Sequence, residues 1–248
     1  MLQSFGNPPI FAQVHGGWPP SVVALHGWGR DRGDFRAALR GLCAVAVDLP
    51  GFGASPAPSR SCGSQEYAER VAEVLHSIEN PVVLVGHSFG GRVAVRLAAM
   101  EPDAVRALVL TGAPIAAGDQ PRRTPALGYR AIRALHRTRI ISDDALERAR
   151  RRYGSADYRR ADGVMRDVLV TVLHEDYQED LRRLSQPLLL MWGEDDTEVP
   201  LAVAQRACRI AKSCTLETVP GVGHGLPWQA PDRLRAAILA MSNPPVGS

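Results

Sequence analysis

The segment Val82-Val83-Leu84-Val85-Gly86-His87-Ser88-Phe89-Gly90-Gly91 limits what this chain can fold into more than any other stretch of it. Its opening residues are β-branched or leucyl and read as a strand buried on both faces. From Arg92 to Met100 the apolar residues recur at helical spacing, so a helix is expected there. Between strand and helix the chain must turn sharply at Ser88. A turn that tight strains the serine's backbone and crowds the positions two before and two after it, which accounts for Gly86 and Gly90. The hydroxyl would then project from the end of a sheet, with the free N–H groups of the new helix aimed where an oxyanion develops. Such a turn is a nucleophile elbow, and it needs partners elsewhere in the chain.

Partners follow in order. Residues 188–192 (LLLMW) read as another buried strand, followed by Gly193-Glu194-Asp195-Asp196-Thr197-Glu198-Val199-Pro200. Residues 215–219 read as a strand leading into Pro220-Gly221-Val222-Gly223-His224-Gly225. A serine hydroxyl is a weak nucleophile near neutral pH and needs a base within hydrogen-bond reach. An imidazole, with a pKa of about 6.5, suits that task, and a carboxylate can orient it and stabilise the imidazolium.

With serine, acid and histidine in this order at strand ends, the chain resembles the α/β-hydrolase-fold family from about Val22 to Met241. His26-Gly27-Trp28-Gly29 resembles that family's oxyanion loop. Asp48-Leu49-Pro50-Gly51-Phe52-Gly53-Ala54-Ser55 resembles its Asp-x-Pro-Gly-x-Gly-x-Ser turn. The resemblance implies an α/β fold with a mostly parallel central sheet flanked by helices. It places the core at 1–112 and 186–248, with a helical cap inserted at 113–185. It also implies a triad of Ser88, Asp196 and His224, with the backbone N–H groups of Trp28 and Phe89 as the oxyanion hole. Asp196 is preferred because the family sets its acid three residues after the strand-end glycine; Asp195 beside it is the rival. Trp28, Phe89, Pro114, Ile115 and Leu226 are expected near the substrate, with Trp228 either beside them or in the core.

Other polar residues have plainer readings. His26 is expected to shape the oxyanion loop, His87 to pack, and Asp48 to cap its loop, since it precedes the serine. His174-Glu175-Asp176 does not make a metal site, because neighbours on a helix do not converge on one point. No metal or cofactor is expected. The four cysteines lack Cys-x-x-Cys spacing and are expected as packing thiols, a disulfide being the alternative.

Within the insertion, helices are expected over 127–137, 143–153 and 157–174, the second opened by Ser142 as N-cap. From Arg122 to Arg160 stand twelve arginines against Asp143, Asp144, Glu147 and Asp157, near +8 locally in a chain of net +3. They either attract an anionic substrate or solvate helix faces, and the second reading is favoured because Lys212 is the only lysine. No stretch of eighteen apolar residues occurs, and the N-terminus lacks a signal-like pattern, so no membrane segment and a cytoplasmic location are expected. The partner is expected to be a small-molecule acyl substrate rather than nucleic acid; the oligomeric state stays open. Serine at the elbow sets aside the branches that use aspartate there. Esterase or thioesterase activity ranks first. Carbon–carbon hydrolysis of ring-fission products ranks second, with Arg92 as a candidate carboxylate holder. A small-molecule receptor with vestigial hydrolysis is the reading from another class.

Overall fold

The computed structural model describes residues 1–116 and 156–242, with His136, Thr138, Ser142 and Ala145 between them. Eight strands among these residues form one sheet: β1 (Leu2–Phe5), β2 (Ile10–His15), β3 (Val22–Leu25), β4 (Ala44–Val47), β5 (Val82–His87), β6 (Val105–Thr111), β7 (Leu188–Gly193) and β8 (Cys214–Val219). Their order is β1-β2-β4-β3-β5-β6-β7-β8. β1, β2 and β4 pair antiparallel, and every other neighbouring pair is parallel.

The burial pattern explains the sequence pattern. β3, β4, β5 and β7 are buried at every position, as parallel strands covered on both faces must be. Alternate residues of one strand serve opposite faces. Val23, Leu25, Leu84 and Leu108 join one cluster with helices α1 (Ser64–Leu75) and α2 (Phe89–Met100). Val22, Ala24, Val83 and Val109 join the other, with Phe35, Leu39, Leu234 and Ile238. The edge strands β1 and β8 alternate instead, with one side facing water.

The later helices are α3 (Ala156–Arg160), α4 (Gly163–Val172), α5 (Gln178–Arg183), α6 (Leu201–Ile210), α7 (Leu226–Gln229) and α8 (Pro231–Ser242). The single helix expected over 157–174 is therefore two. The break comes at Asp162, whose extended backbone (φ −133°, ψ 170°) is that of an N-cap rather than a helix interior. Ser142 accepts the Ala145 N–H at 3.3 Å, as an N-cap does. The rest of the expected helices at 127–137 and 143–153 lies outside the described residues, as do most of the arginines between 122 and 160.

α4 and α5 dock on the core through arginines of α2. Arg92 donates to the Val172 carbonyl at 2.9 Å, and Arg96 pairs with Asp180 at 2.6 Å. Glu175 accepts the Ser64 N–H at 2.9 Å and the Tyr177 hydroxyl at 2.5 Å. Between those polar ties, Val168, Val172 and Leu181 enter the same apolar cluster as Val93 and Leu97.

The expectation of four packing thiols is corrected at two positions. Cys208 and Cys214 form a disulfide, with Cα atoms 5.1 Å apart; Cys43 and Cys62 are free. The reason is local. α6 ends at Ile210, Ala211 turns extended, and the chain doubles back into β8, returning residue 214 to the side of residue 208. Among the described residues no helix is long and apolar enough to cross a membrane.

Candidate active site

Ser88 lies between the end of β5 and the start of α2 with φ 50° and ψ −111°, the only non-glycine residue with positive φ among the described residues. Its N–H donates to the Thr111 carbonyl at 2.9 Å, and its carbonyl accepts the Gly91 N–H at 3.1 Å. A Cβ on Gly90 would strike the carbonyl oxygen of Leu25, so only glycine lets α2 start this close to β3. Phe89, the first residue of α2, has an N–H that no intrahelical carbonyl can reach.

The structure distinguishes the two aspartates. Asp196 Oδ2 meets His224 Nδ1 at 2.8 Å, while Oδ1 accepts the N–H groups of Glu198 and Val199 at 2.9 and 2.8 Å. Asp196 is buried and Asp195 is exposed. A carboxylate only accepts, so this contact puts the proton of neutral His224 on Nδ1 and leaves Nε2 as the acceptor. No hydrogen bond joins Ser88 Oγ to that nitrogen; contacts of this kind commonly tighten only in the complex with substrate. Burial alone would lift Asp196, but the His224 hydrogen bond and the backbone donors hold it below the ordinary carboxylate value. Burial would likewise lower His224, but Asp196, by hydrogen bond and charge, and then Glu198 raise it above 6.5. Glu198 Oε2 is 3.8 Å from Nε2.

His26 and Asp48 hold the loops, as expected. His26 Nε2 accepts the Leu49 N–H at 3.0 Å, which makes its Nδ1 the donor to the Gly27 carbonyl at 2.7 Å. Asp48 accepts from the backbone of Arg32 and Ala54 at 2.9 and 2.8 Å and pairs with the Arg32 guanidinium. His87 is buried and pushed down to about 3, first by burial and then by the neighbouring His224. It therefore stays neutral when His224 is protonated, and its Nδ1 lies 2.9 Å from Thr111 Oγ1.

The expected pocket residues divide. The Trp28 ring stands edge-on to Phe52 and Phe89 at 5.0 and 5.3 Å, and Phe89 in turn meets Tyr67 at 5.0 Å. Ile115 is buried in the same cluster, and Pro114 beside it is half-buried. Leu226 departs from the expectation: it is buried in the cluster of the other face, with Leu234 and Ile238, because α7 turns its apolar side toward α8. The side chains of His174, Glu175 and Asp176 also diverge, to Val170, to Ser64 and Tyr177, and to Gln178.

Two contributors, Gly112 and Arg30, went unread in the sequence, and Trp228 was read without its contacts. Gly112, at φ 55°, lets the end of β6 pass under His224; a Cβ there would sit 2.8 Å from His224 Cε1 and Nδ1. Arg30 holds Asp34 through three contacts of 2.5–3.0 Å and lays its guanidinium 4.1 Å over the Trp228 ring. Trp228 meets His87 edge-on at 5.3 Å, and His87 lies 4.9 Å from His224. It is not core: it is exposed in part and bridges the loop of Arg30 to the loop of His224. The spacing of Arg30 and Asp34 (i, i+4) was the one available signal, and it names no third partner.

Residues 22–237 match the family described as Alpha/beta hydrolase family. The chain belongs to that family. It is thereby an enzyme of the hydrolase class, esterase-like in kind. It is 29% identical over 233 residues to a pimeloyl-[acyl-carrier protein] methyl ester esterase of Neisseria meningitidis, covering 82% of this chain and 86% of that one. It is 28% identical over 246 residues to a biotin biosynthesis bifunctional protein of Cellvibrio japonicus; that match covers 88% of this chain but only 47% of the relative's length. A thermophilic esterase from Thermogutta terrifontis superposes with a TM-score of 0.70 at 23% identity, over 96% of this chain and 97% of that one, a likeness of fold.

Proposed function

We propose that the chain hydrolyses a small-molecule carboxylic ester or thioester through an acyl-enzyme. The observation that carries this reading is the hydrogen-bonded Asp196–His224 pair, with Nε2 left as acceptor, together with the strained turn at Ser88. In this mechanism Ser88 Oγ attacks the carbonyl carbon as its proton passes to His224 Nε2. The oxyanion is held by the N–H groups of Phe89 and Trp28. The carbon–oxygen or carbon–sulfur bond then breaks, and the leaving group departs with the proton from His224. Water, deprotonated by the same nitrogen, splits the acyl-enzyme and restores Ser88. Asp196 orients the imidazole and stabilises its cation. Segment 113–185 serves as the cap that roofs the serine, and the aromatic ring set of Trp28, Phe52 and Phe89 favours an apolar acyl group.

Arg92, the candidate carboxylate holder of the carbon–carbon alternative, gives one N–H to the Val172 carbonyl and keeps a buried Nε–H without a partner. The test is turnover of p-nitrophenyl esters of increasing acyl length by the native protein and by Ser88→Ala. Serine-dependent turnover is expected, with the preferred length sizing the pocket. Multiple turnover also separates an enzyme from a receptor, which would bind and cycle slowly if at all. A folded native protein inert to every ester would overturn the reading.

A further inference from the structure

A groove of about 1140 Å³ runs down one side of the sheet, away from the space above Ser88. At its upper end are Trp228 and Ala54. One wall is the segment descending from Asp31 to Gly41, and the other is the outer part of β2, through Gln13 and His15. Strand register gives the direction. His15 pairs with Ala44 at the start of β4, whereas Asp48 follows its end, so the groove descends on the order of 13 Å along the sheet.

Its charge is not uniform. Arg32, Arg36 and Arg40 recur every fourth residue and all line the groove. Arg32 is neutralised by Asp48, and Asp34 by Arg30. Asp31 spends one carboxylate oxygen on the Gly33 N–H, 2.7 Å away, at the upper part of the wall. Lower down, Arg36 and Arg40 are exposed and have no ion-pair partner among the described residues. Across from them His15 Nε2 is buried without a hydrogen-bond partner. The groove thus has an aromatic upper end touching the catalytic loops and a lower end holding two free guanidinium forks and an unsatisfied imidazole nitrogen. Guanidinium forks match phosphate oxygens in geometry as well as charge.

We propose that this groove receives the leaving-group arm of the substrate, and that the arm carries a phosphate. The inference rests on Ser88 being the nucleophile, because Trp228 ties the groove to the base through His87. It narrows the substrate class to esters or thioesters whose alcohol or thiol arm is long and phosphorylated. The phosphate is held by Arg36 and Arg40, and His15 Nε2 gains a partner from it.

The test measures binding apart from chemistry. Butyryl-coenzyme A and S-butyryl-N-acetylcysteamine carry the same acyl group and thioester, but only the first has a phosphorylated arm. Calorimetric titration of each into the Ser88→Ala protein at low ionic strength should show the first binding about tenfold tighter or more, and the advantage should shrink as salt is added. The double variant Arg36→Ala/Arg40→Ala should bring the two affinities together, while Arg36→Lys/Arg40→Lys should keep much of the difference. Equal affinities in the parent protein overturn the proposal, as does an advantage that persists in the alanine pair. Ester turnover by the native enzyme is scored separately. Tight, arginine-dependent binding without turnover would retain the groove and remove the nucleophile assignment; turnover without the preference would do the reverse.

Discussion

The two halves of the proposed site are held in place by different forces. The acid–base half is polar and hydrogen-bonded: Asp196 has three partners, and His87 is anchored on Thr111. The half proposed to hold the oxyanion is fixed by ring packing of Trp28, Phe52, Phe89 and Tyr67, with glycine where α2 meets β3. The difference follows from what each half must do. A proton-transfer pair needs a fixed tautomer, which only directional hydrogen bonds supply. An oxyanion hole needs N–H groups kept free of protein acceptors, so its loops must be positioned by contacts that use no N–H.

The sharpest way to break the comparison is to remove the base. His224→Ala should lower kcat for a p-nitrophenyl ester by on the order of 10⁴-fold or more, with the fold retained by circular dichroism. Activity within tenfold of the parent would mean another base. Next, Asp196→Asn should cost on the order of 10⁴-fold in kcat through the wrong tautomer, while Asp195→Asn should stay within a few-fold. The reverse ranking would reassign the acid.

Gly112→Ala tests the backbone beneath the base. The added Cβ would meet the His224 ring, and misplacing that ring by about an ångström should cost roughly 10²-fold in kcat. Kinetics indistinguishable from the parent would show that the ring can give way at no cost. Arg30 tests the tie between the halves. Its loss removes the cation–π contact with Trp228, worth about 0.5–2 kcal/mol, so Arg30→Ala should lower kcat/KM by roughly 2- to 30-fold. Arg30→Lys should recover part of that loss, and a variant that unfolds instead would assign Arg30 to stability alone.

The smallest effect is on pH. His224 must be neutral to accept the serine proton, and its value lies above 6.5 in the folded protein. Activity should therefore fall as pH decreases through a limb centred above 6.5 in kcat/KM. Glu198→Gln removes one of the charges that raise His224, so the limb should move to lower pH. A limb that stays put would make Glu198 a spectator despite lying 3.8 Å from Nε2.

Much of this was legible in the sequence alone. The buried runs at 82–87 and 188–193 had to be strands because nothing else buries so many β-branched and leucyl side chains between turn residues. The glycines flanking Ser88 announced the tight turn. Less was legible where partners are distant in sequence. Leu226 follows the base by two residues, yet faces the opposite core. Arg92 follows the elbow by four, yet is taken up by a carbonyl eighty residues away. The disulfide depended on α6 ending at Ile210 so that the chain could double back.

By itself, then, the chain's order of residues determined the central parallel strands, though not β1 and β2, and it determined the strained serine and the order in which Asp196 and His224 follow it, because hydrophobic period and turn chemistry are local. Only the tertiary structure decided which of two adjacent aspartates turns inward to His224. It alone brought Arg30 over Trp228 and left Arg36 and Arg40 unpaired beside a groove. Those outcomes depend on which backbone donors and rings converge from separate loops, and convergence in space is not encoded in any short stretch of sequence.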